Sequence, residues 1–240
     1  KPQVGVSAGL RELSMQIIDK VLAASQVDVG RLRPVLTIDR PKEELTRTLE
    51  PSERVIVIGA STGGTRAITR IVSQLPPATP GILVVQHMPE YFTKSFADSL
   101  DRVTTLQVKE AANGDRLMRG QVLIAPGNYH TALRADARGY YVAVTQGPLI
   151  NRHRPSVGHA FASAAKVAGK NGIGIILTGM GDDGARELKL MREQGAVTIA
   201  QDEASSVVFG MPRRAIELGS ARLVMSLDEI AEFLRQLGTT

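Results

Sequence analysis

The sequence predicts an α/β protein with a doubly wound, mostly parallel sheet, helices on both faces and an antiparallel hairpin near one edge. Short runs rich in β-branched residues recur after residue 53, and they lack the polar–apolar alternation of a half-exposed strand. Segments with helical character fall between most of these runs, and strands that alternate with helices build parallel sheets with both faces covered. With 240 residues, 43% of them hydrophobic, the chain is long enough to form such a core.

Five of the short runs are the predicted strands of the sheet. They occupy residues 55–58, 82–85, 122–124, 173–177 and 197–199. Residues 129–135 and 140–145 are joined through Arg138-Gly139, and this connection predicts the hairpin.

Six segments between or after these runs are the predicted helices. They occupy residues 65–75, 91–100, 156–168, 185–194, 212–218 and 228–237. The last is an amphipathic helix that closes the domain, with apolar residues at Ile230, Phe233, Leu234 and Leu237.

The chain before the sheet divides into two parts. Apolar residues from Leu10 to Leu22 recur with a period near 3.6, which predicts a helix within residues 1–24. Residues 25–53 mix charges with Pro34, Pro41 and Pro51 and show no sustained period, so we interpret them as a linker. The predicted folded domain spans residues 54–238.

Composition excludes several classes of protein. The chain has no cysteine, which rules out disulfides, thiolate metal sites, iron–sulfur clusters and a cysteine nucleophile. No apolar run is long enough to cross a bilayer, and no cleavable leader is visible. We therefore expect a soluble, cytoplasmic protein that does not insert into a membrane.

The charge balance favours an acidic protein partner over nucleic acid. Lys and Arg exceed Asp and Glu by 29 to 24, giving a net charge of +5. The chain has no Trp, few other aromatic residues and no block of Lys and Arg that would follow a phosphate backbone. A basic surface suits an acidic protein at least as well as it suits nucleic acid.

Candidate catalytic residues follow three of the predicted strands. Ser61 lies in Gly-Ala-Ser-Thr-Gly-Gly after the first strand, His87 follows the second, and Asp182 and Asp183 follow the strand at 173–177. Ligands bind outside the carboxyl ends of parallel strands, so these side chains converge on one crevice. Serine, histidine and aspartate are the residue types of a Ser-His-Asp hydrolase, which has a nucleophile, a general base and an orienting acid.

The turn after the first strand has competing interpretations. Residues 59–63 match G-x-S-x-G between a strand and a helix, where glycines permit a sharp turn and helix N–H groups can stabilise an oxyanion. Ser61 could instead cap the following helix or bind phosphate. Thr65-Arg66 stands where a P-loop needs lysine followed by serine or threonine, and a dinucleotide motif would need glycine in place of Ser61.

The histidine and the aspartates also have structural alternatives. His87 could be a hydrogen-bonded structural residue, and Asp182 and Asp183 could cap a helix; residue type alone does not choose between the two aspartates. The other histidines, His130, His153 and His159, lack such a placement. They show no ligand spacing, so we predict no metal site.

Several segments together resemble the catalytic domain of the chemotaxis protein-glutamate methylesterases, the CheB family. The resemblance covers residues 53 to about 238. The matching segments are residues 58–64, 85–89, 124–127, 151–157, 177–184, 200–205 and 208–212.

The resemblance implies a role for each candidate residue. Ser61 is the nucleophile, His87 the base and Asp183 the orienting acid, because the family places this acid directly before the last glycine of the turn. The backbone N–H groups of Thr62 and Met180 are candidates for the oxyanion hole. The order serine, histidine, aspartate differs from that of α/β-hydrolases, so the G-x-S-x-G match is local.

The resemblance also implies a reaction and partners. The expected reaction is hydrolysis of glutamyl 5-methyl esters on cytoplasmic helices of chemoreceptors, with deamidation of receptor glutamines as a second activity and with no cofactor. Arg152 and Arg154 are candidates for docking these acidic helices. Lys1-Pro2 and the following helix resemble the end of a receiver domain, which in the family is phosphorylated by a histidine kinase.

The sequence departs from the family pattern near the candidate site. An acidic residue commonly follows the Arg-Pro-Ser-Val stretch, whereas Gly158-His159 follow it here. Ser206 stands where the family often has cysteine. Gly158 is expected to alter the shape or charge of the cleft and with it the substrate preference.

Overall fold

The computed structural model describes residues 49–238, together with two helical residues, Val21 and Ser25. The predicted helix over 1–24 and most of the predicted linker over 25–53 lie outside the described residues.

Seven parallel strands form the main sheet. Their bounds are β1 (Val55–Ala60), β2 (Gly81–Gln86), β3 (Gln107–Glu110), β4 (Gln121–Ile124), β7 (Gly172–Ile176), β8 (Val197–Gln201) and β9 (Leu223–Met225). The order across the sheet is β3-β4-β2-β1-β7-β8-β9, and every pair is parallel. The five predicted strands are present, and two short edge strands, β3 and β9, are additional.

Six α-helices cover the sheet, one for each predicted helix. Their bounds are α1 (Gly64–Val72), α2 (Glu90–Asp101), α3 (Val157–Ala168), α4 (Ala185–Glu193), α5 (Met211–Glu217) and α6 (Leu227–Leu237). None of these helices, all within the described part of the chain, is long and apolar enough to span a bilayer.

Alternate residues of the buried strands enter two separate cores. Val55 and Val57 of β1 pack with α3, α4 and α5 on one face of the sheet. Ile56 and Ile58 pack with α1, α2 and α6 on the other face. The continuous apolar runs of the strands follow from this burial on both faces.

The predicted hairpin is present as a separate two-stranded antiparallel sheet. It consists of β5 (His130–Asp136) and β6 (Gly139–Thr145). Its apolar side, with Leu133 and Val142, belongs to the core that contains α3. The Leu133 N–H also donates to Ser163 Oγ on α3 at 2.8 Å, so the hairpin covers α3 without joining the main sheet.

The strand order creates a crevice beside β1. The chain moves outward from β1 through β2, returns to β7 on the other side of β1, and then moves outward again through β8 and β9. Such a reversal leaves an open crevice outside the carboxyl ends of the two central strands. Here those strands are β1 and β7; the segment with Ser61 follows β1, the segment with Asp182 and Asp183 follows β7, and His87 follows the neighbouring β2.

Candidate active site

A tight turn follows β1 and carries the first candidate residue, Ser61. Gly63 adopts φ +81° in this turn, a left-handed conformation that glycine reaches without steric cost. A Cβ atom at Gly63 would lie 2.6 Å from the Cβ of Val207, so the available space also requires glycine. Gly63 is the N-cap of α1, and no side chain caps this helix. The alternative role of Ser61 as the helix cap therefore has no support in the structure.

Hydrogen bonds hold the backbone of Ser61 at the crevice. Its N–H donates to the carbonyl oxygen of Thr178 at 3.0 Å, which ties the turn after β1 to the segment after β7. Its carbonyl oxygen accepts from the N–H of Gly64 at 2.8 Å and from Gln86 Nε2 at 2.9 Å. Ser61 itself is half-buried, which leaves it accessible from the crevice.

His87 leaves the sheet beside Ser61. Strands β1 and β2 pair Ala60 with Gln86, and neighbouring strands lie about 4.8 Å apart, so the next residues along each strand are neighbours. The backbone N–H of His87 donates to the Ala60 carbonyl oxygen at 3.0 Å. No hydrogen bond links the His87 ring to the Ser61 hydroxyl among the described residues; their adjacency rests on this strand register.

The two nitrogens of the His87 ring have different surroundings. Nε2 lies 2.8 Å from Oδ2 of Asp183. Nδ1 is buried and has no hydrogen-bond partner among the described residues. An ionised carboxylate only accepts hydrogen bonds, so Nε2 carries the proton facing Asp183. In the neutral ring, Nδ1 is then the free base.

Asp183 is a buried carboxylate with donors on both oxygens; its side chain is 1% exposed. Its donors are His87 Nε2 at 2.8 Å, the Val157 N–H at 2.6 Å, Ser156 Oγ at 2.9 Å, Asn151 Nδ2 at 3.0 Å and the Gly158 N–H at 3.1 Å. Two of these donors are free N–H groups in the first turn of α3, where the helix dipole also favours an anion.

The environment of Asp183 stabilises its charged form. Burial alone would raise the pKa of this carboxyl group. The hydrogen bond from His87, the charge on that ring and the bonds from Asn151 and Ser156 outweigh burial and lower the pKa to about 2. Asp183 is therefore ionised at neutral pH and can hold the His87 tautomer.

Asp182 has a different environment from its neighbour. Its side chain is exposed, whereas Asp183 is buried beside His87. Neither aspartate caps α4, since Gly184 is the N-cap and no side chain caps this helix. The burial of Asp183 and its bond to His87 distinguish two residues that residue type alone leaves equivalent.

The two candidate oxyanion donors lie in the segments that meet at Ser61. The backbone N–H groups of Thr62 and Met180 make no hydrogen bond to any described residue. Gly179 packs directly on the turn after β1, because a Cβ atom at Gly179 would lie 2.7 Å from the Cβ of Ser61. Met180 therefore follows a backbone segment in close contact with Ser61.

The two candidate docking arginines differ in their partners. Arg152 is exposed. The guanidinium of Arg154 donates to Oδ1 of Asn128 at 2.6 and 3.0 Å and also to the carbonyl oxygen of Gly147. Arg154 thus braces its own loop, and Arg152 is the arginine of the pair that is free to meet a partner.

His153, which has no predicted role, contacts the candidate base His87. Its ring stacks on His87 with centroids 3.7 Å apart and an interplanar angle of 18°. Burial and the charge on His87 lower the pKa of His153 to about 4, although Asp183 opposes the shift. His153 is therefore a neutral ring at physiological pH. Its place in the segment 151–157, which resembles the family, is the one sequence signal for this contact, because the spacing of the histidines predicts no shared site.

The described residues contain no cluster of three or more His, Asp or Glu side chains that could hold a metal ion. What the crevice brings together is a free imidazole nitrogen, a buried carboxylate, an accessible serine and two free backbone N–H groups. This arrangement can support nucleophilic attack by an alcohol on a carbonyl carbon.

Comparisons with known proteins agree with this chemistry. Residues 56–234 match the family model described as CheB methylesterase. The chain is similar to protein-glutamate methylesterase/protein-glutamine glutaminase 3 of Geobacter metallireducens, with 48% identity over 99% of this chain and 70% of the relative. It is also similar to protein-glutamate methylesterase/protein-glutamine glutaminase 5 of Anaeromyxobacter dehalogenans, with 50% identity over 99% of this chain and 68% of the relative.

A solved structure shows the same fold. The crystal structure of the Thermotoga maritima CheB methylesterase catalytic domain superposes with a TM-score of 0.74 and 41% sequence identity. The match covers 77% of this chain and 98% of that domain.

Proposed function

Because the chain belongs to the CheB methylesterase family, we propose that it hydrolyses glutamyl 5-methyl esters on chemoreceptors with Ser61, His87 and Asp183 as its catalytic triad. The free Nδ1 of His87 carries this proposal. In the neutral ring the proton lies on Nε2 facing the Asp183 carboxylate, so Nδ1 is the nitrogen with the lone pair that can act as the base beside Ser61.

The first half of the reaction forms an ester with the enzyme. Nδ1 of His87 takes the proton of the Ser61 hydroxyl as Oγ attacks the ester carbonyl carbon. The tetrahedral intermediate collapses by breaking the bond to the methoxy oxygen, and His87 returns its proton to that oxygen. Methanol leaves, and the glutamyl group remains attached to Ser61.

The second half releases glutamate. A water molecule loses a proton to His87 and attacks the glutamyl-enzyme carbonyl carbon. The bond to Oγ breaks, and His87 returns the proton to Ser61. A receptor glutamine follows the same route with ammonia as the leaving group, which accounts for deamidation by the same site.

Two other features lower the barrier in this scheme. Asp183 stabilises the imidazolium that forms at His87 and keeps the ring oriented. The N–H groups of Thr62 and Met180 donate to the carbonyl oxygen as it gains negative charge. Each such donor is typically worth about 10²–10³ in rate.

The proposed substrate helices are cytoplasmic and acidic, so the enzyme acts in the cytoplasm. Arg152, which is exposed beside the crevice, is the proposed docking residue for them, and a contribution from Arg154 stays a prediction. The proposal includes an upstream receiver domain that is phosphorylated by a histidine kinase. Residues 1–24 resemble the end of such a domain. The first two relatives described above are longer than this chain, which agrees with such a domain.

Two adjacent aspartates offer a matched test. Methanol release is measured from methylated chemoreceptor membranes with the wild-type chain, Asp183→Asn and Asp182→Asn, and with unmethylated membranes as the blank. We expect release by the wild type, a loss of roughly 10³–10⁴-fold in kcat for Asp183→Asn, and a change below about 3-fold for Asp182→Asn. Absence of release by the wild type refutes the methylesterase. Equal losses in both variants refute the role of Asp183.

A further inference from the structure

The segment from Ile150 to His153, called here the 150–153 turn, contacts two members of the proposed triad. At its second residue, Asn151 Nδ2 donates to Oδ1 of Asp183 at 3.0 Å. At its last residue, the His153 ring stacks on His87 at 3.7 Å. One tight turn therefore reaches both the orienting acid and the base.

The backbone of this turn is closed and unusual. Two hydrogen bonds join its ends: the Ile150 N–H to the His153 carbonyl oxygen at 3.1 Å, and the His153 N–H to the Ile150 carbonyl oxygen at 2.9 Å. The two central residues have positive φ, +49° for Asn151 and +67° for Arg152. This is the two-residue turn with both central residues left-handed, which normally favours Asn and Gly.

Arginine is an unfavourable residue for the second central position, because its Cβ crowds the backbone in the left-handed region. Among the described residues only three non-glycine residues have positive φ: Asn151, Arg152 and Asn128. Asn128 bonds to the same loop, since its N–H donates to the Arg154 carbonyl oxygen at 3.2 Å. Strained backbone of this kind persists where surrounding contacts enforce it and is concentrated at functional sites.

The turn is also anchored on the side away from the triad. The guanidinium of Arg154 bonds to Asn128 and Gly147. The side chain of Asn128 is itself held in place, because its Nδ2 donates to Oε2 of Glu90, at the start of α2, at 3.1 Å. The turn is thus held at its base and presents its far end to the crevice.

We propose that the 150–153 turn is a positioning element of the triad, in which Asn151 holds the Asp183 carboxylate and the His153 ring holds the His87 imidazole in its working orientation. The proposal rests on the proposed function for its activity readout. Within residues 49–238 the His87 ring has a single hydrogen bond, through Nε2, and a single bond permits rotation of the ring about that bond. A flat ring stacked on one side removes that freedom. Asn151 and His153 are positioning residues, and neither takes or gives a proton in the reaction.

The stacking role predicts rescue by another flat ring. We expect His153→Ala to lower kcat by about 10–100-fold with KM changed less than about 2-fold, because misplacement of a reacting group acts on the chemical step. His153→Phe keeps a flat ring and is expected to stay within about 5-fold of the wild type. His159→Phe is the control, since His159 contacts the His130 ring and no member of the triad.

The backbone of the turn is tested at Arg152. Arg152→Gly and Arg152→Val both remove the guanidinium, but glycine accepts positive φ and a β-branched residue resists it. We expect kcat of the valine variant to lie about 10-fold below that of the glycine variant. The two variants lose the same charge, so any effect on docking is common to both.

A second readout does not depend on substrate. The imidazole proton between His87 Nε2 and Asp183 is followed as a low-field proton resonance, assigned by its loss in His87→Ala. We expect it to stay sharp in His153→Phe and to broaden in His153→Ala. If the wild type releases no methanol yet the resonance responds in this way, the methylesterase proposal fails and the positioning role stands.

The proposal is overturned by either of two results. One is wild-type kcat and an unchanged resonance in His153→Ala. The other is equal loss of kcat in His153→Phe and His153→Ala, which would show that a flat ring is not what the position supplies.

Discussion

Gly158 determines the space beside the proposed acid. A Cβ atom at this position would lie 2.7 Å from Oε2 of Glu187 and 3.1 Å from Oδ1 of Asp183. Burial, with help from nearby Asp183, raises the pKa of the Glu187 carboxyl group. The family resemblance implies an acidic side chain shortly after the Arg-Pro-Ser-Val stretch, where Gly158 stands here, and the carboxylate of Glu187 from α4 lies next to the space that a side chain at Gly158 would enter.

Gly158→Ala is expected to destabilise the protein by about 1–2 kcal/mol, even though alanine is the better helix former by about 1 kcal/mol. The reason is the close approach to Glu187 and to Asp183, whose oxygens are fixed by several donors. Urea denaturation of the single variants and of Gly158→Ala/Glu187→Ala measures the coupling, which we expect to be at least about 0.5 kcal/mol. The same cost of Gly158→Ala with and without Glu187 would contradict this explanation.

His153 makes stability depend on pH in a defined window. Its folded pKa of about 4 lies below the ordinary value of 6.5. The unfolded chain therefore gains this proton as pH falls through 6.5, and the folded chain resists it until about pH 4. The contribution of His153 is lost over that interval and amounts to at most about 3 kcal/mol. Asp183 makes the free energy of unfolding depend on pH in a lower range. Its lowered pKa stabilises the folded state above the ordinary aspartate pKa of 3.8, and this stabilisation is lost as pH falls toward 2.

His153→Phe is expected to remove this dependence. The free energy of unfolding, measured in urea at pH 7, 5.5 and 4.5, should fall less steeply for the variant than for the wild type. His159 has a lowered pKa as well, but it is present in both proteins and cancels in the comparison. Parallel curves for the two proteins would show that His153 takes up its proton equally in the folded and unfolded states.

At the scale of residues, the ends of the strands determine which side chains a sequence can be expected to bring together. Ser61 and His87 follow paired strands, so their convergence follows from topology. Asp182 and Asp183 are adjacent in the sequence, and burial, the bond to His87 and the donors at the start of α3 distinguish them in the structure. The stacking of His153 depends on a turn in which Arg152 has a left-handed backbone. An arginine in the sequence does not predict that conformation.

At the scale of elements, the strands and helices that could be predicted are those whose buried positions form a clear apolar pattern in the sequence. The central strands are buried on both faces and appear as continuous apolar runs. Strand β3 has 4 residues and β9 has 3, with exposed positions in each, so neither leaves a recognisable run. The closing helix was visible from its apolar period, and its start at Leu227 also carries a capping signature.

Ser226 caps α6 in a capping box. Its hydroxyl accepts from the Glu229 N–H at 3.3 Å, and the Glu229 carboxylate accepts from the Ser226 N–H at 2.8 Å. Ser226→Ala is expected to lower the free energy of unfolding by about 1 kcal/mol, as measured by urea denaturation. Ser99→Ala, an exposed serine within α2, is the control. Equal stabilities of the two variants would argue against the cap.

At the scale of the whole molecule, the chemistry depends on where the chain reverses direction across the sheet. The order of strands places β1 between β2 and β7, so the segments after these three strands meet. Helix α3 then completes the site by pointing its N-terminus at Asp183. The fold class follows from the sequence pattern, whereas the position of the hairpin on α3 depends on side-chain packing between distant segments. The family match covers residues 56–234, the same part of the chain that builds this site.

The most direct test of the account is methanol release from methylated chemoreceptor membranes by Ser61→Ala, with Ser99→Ala as the matched control and the wild type beside them. We predict that kcat falls by roughly 10³-fold or more in Ser61→Ala and stays within about 2-fold of the wild type in Ser99→Ala. Release by Ser61→Ala at the wild-type rate would contradict the assignment of Ser61 as the nucleophile.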